Sequence, residues 1–335
     1  MKIRPFIVST LLLFFTFING VIAQHIVILQ QGKPTSIRGL SVVDDKTAWI
    51  SGSNGHIAIT NDGGRTWQWQ QIKGFEKADF RGIEAFSNKE AVIMSSGTPA
   101  LILKTIDGGA NWQLKYRNTD TSFFLDAIGF NDARHGLILG DPIKNKFVLL
   151  ETKDGGNTWN KYNNSPIAST NEAAFAASGT CLRIINHNIL IVTGGSTSNL
   201  FVLAPNKDWR KISIPIGYGK SSQGAFSIAK DKNQLVIVGG DYQHDKHTDS
   251  TACYSYNGTT WQLPHNSPSG YQSCVEYINA GTFLSTGTAG SNITTDGGKN
   301  WVQIDTANFN VCRKAKHGNL VLLAGSKGKI AILTP

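Results

Sequence analysis

From residue 24 onward the apolar positions fall in short runs that alternate with polar ones at a period of two, bounded by Gly, Asn, Asp and Ser. In the first such group, segments 38–43, 47–51, 56–60 and 66–72 read as four successive strands joined by tight turns. Four strands in a row joined by short turns make an antiparallel meander. The 35 glycines and 8 tryptophans favour the same reading, many short strands and turns over long helices.

The meander repeats. Thr60-Asn61-Asp62-Gly63-Gly64-Arg65-Thr66-Trp67 recurs as Thr105-Ile106-Asp107-Gly108-Gly109-Ala110-Asn111-Trp112, as Thr152-Lys153-Asp154-Gly155-Gly156-Asn157-Thr158-Trp159, and as Thr294-Thr295-Asp296-Gly297-Gly298-Lys299-Asn300-Trp301. Two worn copies end at Trp209 and Trp261, so the tryptophans recur every 40 to 52 residues. Asp-Gly-Gly supplies the positive-φ positions of a hairpin turn, and the Asp carboxylate can accept from turn amides. Asp62, Asp107, Asp154 and Asp296 are therefore expected to be structural. Trp67, Trp112, Trp159 and Trp301 are expected to be buried between blades. A seventh copy at 325–332 mirrors 52–59 but stops after three strands at Pro335. The missing strand is expected to be His25–Gln30 paired with 329–334, which closes the ring and hides both edges. The fold expected is all-β, a single domain over 24–335, a seven-bladed propeller of four-stranded antiparallel blades.

These turns resemble the Asp-box, or bacterial neuraminidase repeat, of sialidases, some endoglucanases and sorting receptors. The Gly-x-x-Gly-x-Ile-x-x-Thr lead-in at 52–60 is more similar to the exported propellers related to photosystem II stability and assembly factors. The resemblance covers essentially the whole chain after residue 23. It implies a fold rather than an activity, because this scaffold serves enzymes and pure binding proteins alike.

The first 23 residues stand apart: Lys2 and Arg4, an apolar run over 6–18, then Val21-Ile22-Ala23. This reads as a secretory signal peptide cleaved after Ala23, giving a secreted or periplasmic protein. No later stretch reaches the ~20 apolar residues of a spanning helix, so no membrane span is expected. No Cys follows the apolar run, so a lipid-anchored start is not expected. The formal charge is +9, but Lys and Arg are scattered. Their one concentration, Arg313, Lys314, Lys316, Lys327 and Lys329, reads as a solvated basic sector, and no nucleic-acid partner is expected. Cys181, Cys253, Cys274 and Cys312 lack metal-site spacing and read as buried thiols, with room for one bridge.

Strand parity assigns the ends of the ring. The Asp-Gly-Gly turns lie at one end; the starts of the inner strands and the long connections 162–179, 217–224 and 241–251 lie at the other. Loops on a rigid scaffold carry binding groups. Onto this loop-rich end project Arg38, Arg81, Asp126, Asp141, Glu172, Asp241 and Tyr271, a ligand-binding set expected to hold a protein segment or a polar ligand without catalysis. The partner would be an envelope protein or a polar or glycan ligand, with the chain a monomer. The alternative is a glycoside hydrolase in which two of Asp141, Glu172 and Asp241 act as general acid and as nucleophile or base, which needs a separation of ~5 to 9.5 Å. A sialidase would need three arginines and a Glu-activated Tyr. Arg38, Arg81, Arg117, Tyr271 and Glu276 offer these types, but Gly39-Leu40 stands where that pattern has Ile-Pro. There is no Gly-x-Gly-x-x-Gly after a strand, Gly-Lys-Ser/Thr, His-Glu-x-x-His or Gly-x-Ser-x-Gly, so no cofactor is expected. His244, Asp245, His247 and Asp249 read as a solvated loop rather than a metal site, and Asn163, Asn257 and Asn292 fit the glycosylation sequon.

Overall fold

In each of the four intact Asp-Gly-Gly turns the carboxylate organises the chain around it. Asp62 Oδ1 accepts from Thr60 Oγ1 at 2.8 Å and from the Thr66 N–H at 2.9 Å, and Thr66 Oγ1 donates to Oδ2 at 2.6 Å. Both glycines take positive φ, +74° and +89°, which a side chain would strain. The second glycine has a further duty. A Cβ on Gly64 would press on Leu29 and Leu322, and one on Gly109 on Ile57 and Trp49. The turn thus lies flat against the preceding blade and sets the spacing between the two.

A computed structural model describes residues 24–335; the leader assigned to 1–23 lies outside the described residues. Seven antiparallel sheets follow one another around a ring, so the fold is the seven-bladed β-propeller expected. The innermost strands of blades 1 to 7 are Ile37–Val42, Gly82–Ala85, Leu125–Phe130, Leu182–Ile185, Gln223–Asp231, Cys274–Asn279 and Val311–Lys314. The ring closes where the sequence places the closure: His25 pairs with Thr334 and Val27 with Ile332, making His25–Gln30 the outer strand of blade 7. Lys327 and Gly328 repeat the positive φ of Asn54 and Gly55, as the mirrored sequence requires.

Blade 5 departs from the pattern. Its outermost pairing shrinks to one bridge between Tyr254 and Gln262, where the repeat ending at Trp261 has lost Asp and one Gly. Its inner edge instead gains two short strands, Glu172–Ala173 and Gly194–Gly195. Gly194 and Gly224 are both glycine because a Cβ on either would overlap the other's Cα.

Apolar clusters fill the spaces between neighbouring blades. The tryptophans enter them, with a correction to the uniform burial expected. Trp159 and Trp301 are buried, at 7% and 5% exposure, whereas Trp67 and Trp112 are half-buried. Trp67 sits on the seam packed by the closing strand, and Trp112 lies edge-on to Trp49, which takes the deeper place. All four cysteines are buried and unbridged. Among the described residues no helix is long and apolar enough to cross a membrane.

Candidate functional site

The long connection leading into blade 4 does not stay on the surface. Its last stretch, 174–180, sinks into the loop-rich mouth of the ring, and every residue except Phe175 is buried. Ala177 O accepts from Arg38 Nη1 of blade 1 at 3.3 Å and Ser178 O from Arg313 Nη2 of blade 7 at 2.9 Å. Ser178 Oγ donates to Ser273 O of blade 6 at 2.7 Å, and Thr180 Oγ1 bonds Ser227 Oγ of blade 5 at 2.6 Å. Phe175 stacks on Phe226 at 3.9 Å, with Tyr271 edge-on to the same ring. A segment held by blades on opposite sides of the ring crosses its axis. Ala173-Ala174-Phe175-Ala176-Ala177-Ser178-Gly179 suits this, because small side chains let a backbone pass through a narrow opening.

This strap decides the fate of the residues expected to form an open polar mouth. Burial and then the neighbouring Arg81 charge lower the Arg38 pKa, but Arg38 holds the strap and Arg81 pairs with Asp79 at 2.7 Å. Tyr271 is 5% exposed in an aromatic plug with Phe226 and Ala177. Asp126 and Asp141 come together, each at a β-bulge. Asp126 is 1% exposed with no hydrogen-bond partner on either oxygen, and burial followed by the Asp141 charge raises its pKa well above the carboxylate range. Burial lifts Asp141 to about 6, although Asp141 Oδ1 accepts from the Ala174 N–H at the start of the strap.

Glu172 and Asp241 belong to separate networks. Glu172 is buried under Lys211 at 2.7 Å, Thr193 at 2.6 Å, Asn199 at 2.8 Å and the Ser169 N–H at 2.7 Å; burial opposes these contacts, but they keep its pKa low. Asp241 is held by Gln223, His244 and the Gln243 N–H, and despite burial its pKa falls to about 2. Neither carboxyl is kept protonated as a general acid must be. The sialidase set does not assemble either: Arg117 lies on the outermost strand of blade 2, and Glu276 contacts Arg183 and Arg313.

With the loop-rich mouth strapped, the ring opens at its other end. Gly63, Gly108, Gly155 and Gly297 donate to Lys46, Lys89, Arg134 and Gly281 carbonyls, which ties each Asp-Gly-Gly turn to the turn after its own inner strand. A central funnel of about 790 Å³ runs from Gly179 of the strap to the turns that follow the inner strands, at 131–133 and 317–318. Inner strands run from strap to turns, so later residues lie nearer the open end. Arg183, Glu276 and Arg313 hold corresponding inner positions, opposite Leu190, Leu284 and Leu322 of the next strands. Arg183 pairs with Glu276 at 2.7 Å, and Arg313 lies 3.9 Å from the same carboxylate. Nearer the open end Lys316 pairs with Glu84 and lies over the Phe86 ring, and Lys314 donates to Ile278 O and lies over Tyr277. Among the described residues Lys314 has no carboxylate in ion-pair contact, and Asp132 uses its own on the Arg134 and His135 N–H groups. The lining is therefore cationic with an aromatic rim. The concentration of Arg313, Lys314 and Lys316 carries this site, although it reads from sequence as solvated.

Comparison with known proteins agrees with the resemblance read from the motifs. The family model described as photosynthesis system II assembly factor YCF48 matches residues 28–119. The photosystem II assembly lipoprotein Ycf48 of Synechococcus sp. (strain CC9902) is 28% identical over 124 residues, which span 36% of this chain and 34% of that protein. Among solved structures, YCF48 bound to a D1 peptide superposes with a TM-score of 0.64 at 17% identity, covering 93% of this chain and 95% of the other. YCF48 from Cyanidioschyzon merolae gives 0.66 at 15%, covering 93% and 99%. Virginiamycin B lyase from Staphylococcus aureus gives 0.66 at 14%, covering 93% and 100%. At these identities the structures speak to fold alone, and a lyase and an assembly factor share it.

Proposed function

We propose that this chain is a non-catalytic binding propeller that holds a protein segment of acidic, aromatic-bearing character in its central funnel, entered from the face of the Asp-Gly-Gly turns. The observation that carries the reading is the blind funnel, floored by the strap and lined by Arg183, Arg313, Lys314 and Lys316 against fewer carboxylates. A narrow cationic cleft with low-dielectric walls concentrates field lines and draws in an anionic segment. Aromatic rims add stacking area where Phe86 and Tyr277 flank the lysines. A protein of similar fold, YCF48, has been solved bound to a D1 peptide, which supports a protein segment as the class of partner. The three carboxylates of the hydrolase alternative sit in separate networks, Asp141 on the Ala174 N–H of the strap, Glu172 under Lys211 and Asp241 on His244, which counts against a shared catalytic pair.

The reading extends to location. A leader over 1–23 and a relative that is a lipoprotein support an exported or membrane-associated protein, with cleavage after Ala23 as the version that N-terminal sequencing tests. The loop-rich residues Arg38, Arg81, Asp126, Asp141, Glu172, Asp241 and Tyr271 remain the competing docking face. Fluorescence anisotropy separates the two. A labelled acidic, Phe-containing peptide should bind with salt-dependent affinity, and a charge-reversed peptide should not. The Lys314→Ala/Lys316→Ala variant should weaken binding roughly tenfold, as loss of about 1.4 kcal/mol would. Unchanged binding in that variant together with loss in Arg38→Ala/Arg81→Ala would move the site to the loop-rich face.

A further inference from the structure

The loop 241–251 of blade 5 carries Asp241, His244, Asp245, His247 and Asp249, and the binding reading uses none of it. Its backbone turns twice in succession: the His244 N–H donates to Asp241 O at 3.1 Å and the His247 N–H to His244 O at 2.9 Å. Bonds between residues three apart wind the chain at about three residues per turn, which brings side chains three apart onto one side. The two imidazoles accordingly stand together, centroids 5.4 Å apart and planes within 25°, and both are exposed. The loop is fixed from below. The Tyr271 N–H donates to Asp245 O at 2.9 Å, and Asp241 Oδ1 accepts from the Gln243 N–H at 3.0 Å.

Beneath the pair, Asp241 is 5% exposed and its Oδ2 lies 3.0 Å from His244 Nδ1. A buried carboxylate on Nδ1 holds a proton there and leaves the Nε2 lone pair free, the arrangement that orients histidines which ligate metals. We propose that His244 and His247 form a surface site for one borderline divalent transition-metal ion, Zn²⁺, Ni²⁺ or Cu²⁺, with Asp241 as the positioning carboxylate. Imidazole nitrogen selects these ions over Ca²⁺ and Mg²⁺, which prefer oxygen. Among the described residues no third His, Cys, Asp or Glu completes a ligand set with the pair, so water fills the remaining positions.

Isothermal titration of the tag-free chain with Zn²⁺, and nitrogen hyperfine structure in the EPR spectrum of added Cu²⁺, test the site. One equivalent of ion should bind, with two nitrogens on copper. His244→Ala and His247→Ala should each abolish that equivalent, while His187→Ala/His265→Ala should retain it. Asp241→Asn should weaken binding roughly tenfold or more, the usual effect of removing such a partner. Should Asp241→Asn fail to fold, the two exposed histidine variants still decide. Absence of binding, binding undiminished in either histidine variant, or Ca²⁺ displacing Zn²⁺ would each overturn the proposal.

Discussion

At the residue scale, carboxylates of one chemical type are driven in opposite directions by their surroundings. Asp62 and Asp154 are stabilised as anions by turn donors, which hold both at about 2. Their contribution to stability is present above the ordinary carboxylate pKa and is lost as the pH falls through about 2. Asp141 is the reverse case, lifted to about 6 by burial beside Asp126. Ionising it penalises the folded state, so the penalty is full above pH 6 and vanishes below about 4. Asp141→Asn keeps an oxygen for the Ala174 N–H and removes the charge. It should raise stability by roughly 1–3 kcal/mol at pH 7.5 and leave it unchanged at pH 4, as read by denaturant midpoints across pH. A variant equally stabilised at both values would show that charge is not the cause. The tryptophans give a second test. Trp159→Ala and Trp301→Ala should each cost about 3–5 kcal/mol, and Trp67→Ala and Trp112→Ala less, because the latter two are half-buried. Equal losses at all four would contradict the burial difference.

At the element scale the strap is the feature on which the funnel depends. Arg313 bonds Ser178 O and Cys312 O, and the latter also accepts from Cys274 Sγ, so Arg313→Ala leaves Ser178 O unanswered inside the ring at a cost of about 1–3 kcal/mol. Amide exchange at 177–180 should then quicken selectively, while the inner strand of blade 2 stays protected. Uniform acceleration over all blades would mean that Arg313 supports the ring rather than the strap. The blades were legible because each is written locally: period-two alternation, Asp-Gly-Gly, then Trp within one hairpin's reach. The strap was not, because its hydrogen bonds join Ala177 to Arg38 and Ser178 to Ser273, residues far apart in sequence, and its only local sign is a run of small side chains. Strand parity placed the two ends of the ring. Parity does not say which end is plugged, so from sequence Arg38, Arg81 and Tyr271 read as an open site, and Arg313, Lys314 and Lys316 as a solvated basic sector.

At the scale of the whole molecule the two ends of the ring are joined, and the join is non-covalent. His25–Gln30 supplies the outer strand of blade 7 through register pairs from His25–Thr334 to Gln30–Ile330. Ile26 and Leu29 pack onto the same apolar cluster as Trp67 and Leu322, and Leu29 meets the glycine of the first Asp-Gly-Gly turn. Removing residues 24–31 therefore does two things at once. It strips apolar cover from the seam between blades 7 and 1, and it leaves Ile330–Thr334 as a bare edge carrying Ala331, Ile332 and Leu333. An exposed edge of that composition pairs with other chains. The main-chain bonds alone contribute roughly 0.5–1.5 kcal/mol each, and the half-buried Leu29 adds to this, so the loss is several kcal/mol. The truncated chain should show a lower thermal midpoint and concentration-dependent association by light scattering. Ile26→Asp/Leu29→Asp in the full-length strand should lower the midpoint but leave the edge covered, and so remain monomeric. A truncated chain that stays monomeric at an unchanged midpoint would mean that the ring is held by its inter-blade packing and not by the joined strand.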